Sequence, residues 1–379
     1  MKLSEHWLRK WVNPNLNTKA LVEQLTMAGL EVDSIEGAAG DFSGVKVGRV
    51  ISTTLHPNAT KLTLCKVDIG EPEPLDIVCG AANVRAGLCV AVATVGATLP
   101  GDFQIKEAKL RGEISLGMLC SSSELGLSDS SNGIMELPEA APVGECIRRF
   151  LSLDDSIIEI DLTPNRGDCL SMRGIAREVA ALNDISWQDL EIEQVESKDI
   201  RQLSVEIKEP KLCPRYLCQS VIDFDNSVSV PQWMSERLRR SGFRSHSLVV
   251  DITNYVMMEI GQPLHAFDAD LIKGKISVRL ASEGESLVLL DEQTVKLKPT
   301  TLVIADQEKV LAIAGVMGGL DSAVTEKTKN IVFESAHFLP EQIAGVARSY
   351  GLATDSAYRF ERGVSPKLQE EGMLRALSL

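Results

Sequence analysis

The stretch that most constrains the fold runs from residue 40 to residue 150. Short β-rich runs follow one another there, separated by Gly and Pro turns. VKVGRVISTTL and KLTLCKVDIG read as strands joined at His56-Pro57-Asn58. IVCGAANVRAGLCVAVATVGATLP supplies two more, split near Ala86-Gly87, with another turn at Gly96 to Gly101. ISLGMLCSSSELGL closes the run with Gly, Ser and small apolar residues. Many short strands with turn residues between them, in about a hundred residues, predict a small closed barrel. Such a barrel binds many things and does not by itself name a ligand.

The flanks have a different pattern. Residues 1 to 39 read as two short helices. Ser4 is placed to cap the first, with Trp7, Leu8 and Trp11 on one face. Thr18 is placed to cap the second, where Leu21, Val22 and Leu25 precede a stop at Gly29. Residues 151 to 190 offer a strand, IIEIDLT, a turn at Thr163-Pro164-Asn165, and a helix with Ile175, Val179 and Leu182 on one face. The two pieces are natural packing partners, which makes the barrel an insertion. Arg166 and Asp168 read as an ion pair pinning the turn against the helix. Residues 191 to 200 form a charged linker, and 201 to 365 read as mixed α+β. There a capping box of Ser229 and Gln232 starts a helix from Pro231 to Gly242. Strands are expected at ISVRLA, ESLVLLD, TLVIAD, VLAIAGV and NIVFESA, and a helix from Pro340 to Gly351.

Composition excludes several classes. A chain of 379 residues suggests about two to four domains. No run of eighteen apolar residues appears, so no membrane span is expected. The opening MKLSEHWLRKW lacks the apolar region of an export signal. Eight cysteines, at 65, 79, 89, 120, 146, 169, 213 and 218, form no CxxC and no His/Cys cluster with zinc spacing. They are expected as reduced thiols in a cytoplasmic protein with no structural metal. A net charge of −14 argues against a wholly basic nucleic-acid surface. Local basic patches remain at ERLRRSGFR and KEAKLR.

One segment points to chemistry. VVDITNYVMMEIGQPLHAFD, from Val249 to Asp268, ends just past Pro263, which removes a backbone donor and forces a turn. His265 is therefore expected on a loop at a cleft mouth, close to Asp268, where imidazole handles protons near neutral pH. A Ser/His/Asp triad built on His265 with Asp251 or Asp268 lacks a nucleophile-elbow sequence.

HPNATKL, IVCGAANV and GATLPGDFQIKEAKLRGEISLGMLCSSSELGL, in that order, resemble the tRNA-binding OB-fold. That module occurs in phenylalanyl-tRNA synthetase beta subunits, some methionyl-tRNA synthetases and free-standing tRNA-binding proteins. Thr60 stands where the usual HPNADKL has an acid. The resemblance implies RNA contacts through a basic groove, with Lys106, Lys109 and Arg111 as candidates.

TPNRGDCLSMRGIAREVA, CPRY, LRRSGFRS, VVDITNYV, GQPLHAFD, AGVMGG, FESAHF and GLATDSAYRFERGV extend the resemblance over nearly the whole chain, to the bacterial phenylalanyl-tRNA synthetase beta subunit. It implies an α+β multidomain chain. A small helical and strand N-terminal domain, 1–39 with 151–190, carries the inserted OB-fold barrel, 40–150. A mixed α+β editing domain of the B3/B4 type follows at 200–365, and 366–379 is a helix leading toward parts the family has and this chain lacks. The implied activity is hydrolysis of tyrosine wrongly esterified to tRNA(Phe), by a fragment that supports aminoacylation by the alpha subunit. A non-enzymatic tRNA-binding or assembly module with a silent site is the alternative.

Carried over by position, the phenol-binding acid falls on Glu334, the site histidine on His265, and Thr354 and Gly315 line the pocket. Arg244 is a candidate for the tRNA 3′ end, and Asp355 is structural. The usual TDAS reads TDSA, so Ser356 adds a hydroxyl to the pocket floor. The resemblance implies tRNA(Phe) and an alpha subunit as partners, in a heterotetramer of two alpha and two beta chains. ATP and Mg2+ belong to the whole enzyme, with no cofactor or metal in this fragment.

Overall fold

The structure, a computed structural model, describes residues 1–129, 132–196 and 203–379. The charged linker expected at 191–200 lies in part, at 197–200, outside the described residues. Contacts divide the chain into a unit of Ile35–Ile157 and a unit of Met1–Ser34 with Ile158–Leu379.

In the unit Ile35–Ile157, the strands run in the order Gly117–Leu119, Cys89–Leu99, Ser43–Leu55, Thr63–Asp68, Leu75–Cys79. The sheet curls: Leu116 N–H donates to the Asp76 carbonyl at 2.8 Å, and Val78 N–H to Ser115 Oγ at 3.1 Å, so its two ends meet. The strand Cys89–Leu99 is apolar on both faces for a reason of period. Val90 and Val92 join one core cluster, whereas Cys89, Ala91 and Ala93 join another. The result is an OB-like half-barrel. The turn expected at Gly96 to Gly101 is narrower. The strand continues through Gly96 to Leu99, and the chain reverses at Pro100–Asp102.

The second unit is mixed α+β. Trp7, Leu8, Leu21, Ile160, Ile175, Val179, Val256 and Phe333 share one buried cluster, so the N-terminal helices and the helix Met172–Asn183 pack with the later helix Leu248–Ile260. A five-stranded sheet (Val205–Ile207, Ile276–Leu280, Leu302–Ala305, Val310–Ile313, Met317–Gly318) holds a second cluster. Between the two lies an antiparallel sheet in the order Arg215–Val221, Ile331–His337, Leu264–Asp268. Ile331 and Phe333 face the first cluster, while Val332 and Ala336 face the second.

Several local expectations are corrected. His265 lies within the strand Leu264–Asp268, not on a loop: after the Pro263 turn, the backbone pairs with Ile331–His337. Asn17, not Thr18, caps the second helix, its Oδ1 accepting from Ala20 N–H at 2.9 Å. No Ser229 capping box forms; the helix is Gln232–Arg240, flanked by Pro231 with no side-chain cap. The helix expected from Pro340 to Gly351 is two, Pro340–Ile343 and Val346–Ser349, broken at Gly345, whose φ is 73°. Leu182 is exposed, because the buried face of its helix carries Ile175, Ala176, Val179 and Ala180 instead.

Candidate active site

Strand register assembles the site. Glu334 sits at the centre of the three-stranded sheet, opposite Cys218 on one side and His265 on the other. Directly opposed residues project from the same face, so a carboxyl, a thiol and an imidazole converge there. Tyr216, two residues from Cys218, joins them, and its O–H donates to Glu334 Oε2 at 2.8 Å. Glu334 Oε1 has no hydrogen-bond partner among the described residues.

Glu334, His265, Gly315, Thr354 and Ser356 all line one pocket of about 300 Å3, whose walls include Met257, Ile304, Val316, Met317 and Phe360. Desolvation by these apolar surroundings raises the Glu334 carboxyl to about 7, with the Tyr216 hydrogen bond pulling the other way. Desolvation alone lowers His265 to about 4, so its imidazole is neutral at physiological pH. The ring is set edge-on to Phe267, with centroids 4.5 Å apart. The ring also lies close to Gly318, where an added Cβ would come within 2.5 Å of Cε1.

The remaining wall is a loop tied to a short helix. Gly315 has φ 67°, and a Cβ there would meet Phe338 at 2.9 Å and Phe360 at 3.1 Å, so only glycine fits. Thr354 caps the helix Asp355–Phe360, accepting from Ala357 N–H at 3.1 Å and donating to the Val316 carbonyl at 3.0 Å. Ser356 Oγ donates to the Gly315 carbonyl at 3.2 Å. Both hydroxyl protons therefore serve the loop. Asp355 pairs with the buried Arg359, whose Nε also donates to the Leu170 carbonyl at 3.1 Å. The TPNR segment thus braces the pocket helix. Its Gly167 is there for clearance, since a Cβ would meet Arg362 Cβ at 2.9 Å.

Other candidates fall outside the pocket. Arg244 is exposed on the loop before Leu248–Ile260; its neighbour Phe243 lines the pocket and Arg244 does not. Asp251 is wholly buried and holds Ser245 Oγ and His246 N–H. Asp268 holds Thr328 Oγ1 at 2.7 Å. Neither carboxylate hydrogen-bonds His265, which leaves no triad. Asp168, Cys169 and Glu178 converge, but the Arg166 guanidinium sits among them, 2.8 Å from Glu178 and 2.9 Å from Cys169 Sγ. That arrangement neutralises the acids and does not suit Mg2+, which needs an oxygen shell.

In the half-barrel unit, Lys106, Lys109 and Arg111 are exposed and form no ion pair among the described residues. Lys109 lies on the first strand of the hairpin Ala108–Leu110 and Glu113–Ser115, and Arg111 lies in the turn at its tip. The HPN turn anchors this tip. His56 Nδ1 accepts from Asn58 N–H at 3.0 Å, which leaves Nε2–H to donate to the Leu110 carbonyl at 3.0 Å. Asn58 Nδ2 donates to the Arg111 carbonyl at 3.3 Å.

Sequence reasoning missed Tyr216 and Gly318 as parts of the site. Both stood in quoted motifs, CPRY and AGVMGG, but their contacts depend on strand register and packing.

Residues 45–146 match the family described as "Putative tRNA binding domain", and residues 212–379 match the "B3/4 domain" family. The class is therefore a protein that joins a tRNA-binding half-barrel to a B3/4 domain. Along all of its length the chain is 57% identical to the phenylalanine–tRNA ligase beta subunit of Idiomarina loihiensis. It is 56% identical to that of Pseudoalteromonas translucida and 57% to that of Vibrio cholerae, again over its full length. Over its whole length the chain is similar to phenylalanine–tRNA ligase beta subunits. It spans about half the length of these relatives, 48% in each case.

Proposed function

We propose that this chain carries the tRNA-binding and hydrolytic editing parts of a phenylalanine–tRNA ligase beta subunit, and that its pocket cleaves tyrosine wrongly esterified to tRNA(Phe). The need is physical. A hydrophobic synthetic pocket rejects an analogue with one added hydroxyl by only on the order of a hundredfold. A second site can select for the hydroxyl instead. The observation that carries the reading is Glu334: a buried carboxyl in an apolar pocket, with one oxygen tied to Tyr216 and the other unmatched. A tyrosyl phenol would satisfy Oε1. A phenylalanyl ring would strand it, at about 1–3 kcal/mol or more.

In the step itself, water attacks the ester carbonyl, the bond to the terminal ribose oxygen breaks, and that oxygen leaves with a proton. The products are free tyrosine and uncharged tRNA. His265, neutral and without a protein hydrogen-bond partner among the described residues, would orient or polarise the attacking water or the ribose. Thr354, Gly315 and Ser356 shape the wall, and Arg244 reaches for the 3′ end. Lys106, Lys109 and Arg111 contact tRNA backbone. Residues 1–39 with 151–190 serve as scaffold, 40–150 as the tRNA-binding insertion and 200–365 as the editing domain. The cytoplasmic partner is an alpha subunit, in a tetramer of two alpha and two beta chains. ATP and Mg2+ serve aminoacylation by that whole enzyme.

The test is deacylation of Tyr-tRNA(Phe) and Phe-tRNA(Phe) by this chain, beside His265→Ala and Glu334→Ala. Loss of the tyrosyl ester alone, slowed by either change, is expected. tRNA binding without hydrolysis, here and with full-length beta and alpha subunits, would establish the non-enzymatic alternative.

A further inference from the structure

Tyr216 belongs to the site yet has no part in the hydrolysis just described. It is buried, and it does not line the pocket, whereas Glu334 does. Its O–H is the one hydrogen-bond donor to the Glu334 side chain among the described residues. Before any ligand arrives, Glu334 is thus already bonded to one phenol through Oε2.

We infer that Tyr216 is the positioning residue behind the pocket's preference for tyrosyl over phenylalanyl groups: its phenol clamps one Glu334 oxygen and presents the other to the ligand. The inference rests on the editing reading of the pocket. A carboxylate in apolar surroundings needs donors. Tyr216 supplies one permanently and the ligand's phenol supplies the second. Without the clamp, the acid keeps its proton to higher pH and turns freely, and a neutral acid penalises a phenylalanyl ring less.

The other groups facing Glu334 bring no compensating charge, and none of them hydrogen-bonds its carboxyl among the described residues. Cys218 lies on the same strand as Tyr216, Cys213 lies just before it, and His265 lies on the opposite strand. Burial pushes both thiols up, Cys213 to about 12, so they stay protonated. His265 is neutral. Burial also pushes the Tyr216 phenol well above its ordinary range, so it keeps its proton and remains a donor.

The experiment compares the wild-type chain with Tyr216→Phe in three readouts across pH. These are affinity for tyrosinamide and phenylalaninamide, the Glu334 carboxyl titration by NMR, and deacylation of both tRNA esters. The variant should lose roughly tenfold of its tyrosine preference at pH 7. It should regain the preference at higher pH, with the carboxyl titrating later. A merely structural role would not give a pH-dependent recovery. Unchanged preference and unchanged titration, in a variant that unfolds at the wild-type temperature, overturn the inference. If the variant does not fold, the wild type still decides. The Tyr216 phenol proton must shift as Glu334 titrates, and a phenol proton blind to that titration overturns the inference. If the wild type hydrolyses neither ester yet binds tyrosinamide with a Tyr216-dependent preference, the editing reading fails and the inference stands.

Discussion

His265 and Glu334 stand directly opposite each other on neighbouring antiparallel strands, and both line the same pocket. Burial drives them in opposite directions, the imidazole down to about 4 and the carboxyl up to about 7. Each shift favours the neutral form, so the pocket floor carries little charge until Glu334 ionises.

This pairing predicts a pH signature in stability. His265 titrates near 6.5 when unfolded and about 4 when folded, so its contribution is present above 6.5 and is lost as pH falls toward 4. Glu334 titrates near 4.5 when unfolded and about 7 when folded, so its contribution is present below 4.5 and is lost as pH rises through 7. The two slopes oppose each other in between. Glu334→Gln should remove one slope, leaving the urea midpoint to fall more steeply than in wild type between pH 6.5 and 4.5. Parallel curves for the two proteins would show that Glu334 is not held neutral by burial.

Gly318→Ala should displace the His265 ring, since the new Cβ would lie 2.5 Å from Cε1 and 2.7 Å from Nε2. A misplacement of this kind in a positioning group slows catalysis on the order of a hundredfold. Single-turnover deacylation of Tyr-tRNA(Phe) is the measurement. Wild-type rates in Gly318→Ala would remove His265 orientation from the mechanism.

Ser356→Ala should do little to selectivity. The hydroxyl already donates to the Gly315 carbonyl at 3.2 Å and does not stand free in the pocket. We expect a stability loss of about 1 kcal/mol or less. The ratio of tyrosyl to phenylalanyl hydrolysis should change by less than about threefold. A larger change would mean that Ser356 contacts the substrate ring.

Replacing Lys106, Lys109 and Arg111 together by Ala should weaken tRNA binding without altering hydrolysis of a minimal tyrosyl ester. If each cation meets a phosphate, the slope of log K against log salt should fall by roughly two to three. Filter binding at several salt concentrations measures it. An unchanged slope would place the RNA contact elsewhere on the half-barrel.

Much of this was readable from residue order. The strand alternation between residues 40 and 150 carried the half-barrel, and the motifs around His265, Glu334 and Thr354 carried the pocket. The environment of each residue was harder to read. His265 looked like a loop residue because Pro263 stops the preceding element, and nothing local announces the partner strand Ile331–His337. The buried helix Leu248–Ile260 is apolar on nearly every side, so its pattern does not distinguish a face; burial between other elements stabilises it. Asn17 took the cap from Thr18 because caps are decided by one residue of backbone geometry.

The sequence by itself determined which chemistry is available: an acid, an imidazole, a glycine and hydroxyl residues beside them, and a short basic stretch at KEAKLR. Those are properties of side chains and short spacings. Only the tertiary structure decided that Cys218, Glu334 and His265 share a register, that Tyr216 reaches Glu334 from 118 residues away, and that Ser356 turns its hydroxyl to Gly315. Register and desolvation are long-range quantities. They depend on which strands pair and what covers them, and they set whether Glu334 is an ordinary surface acid or a buried one titrating near 7.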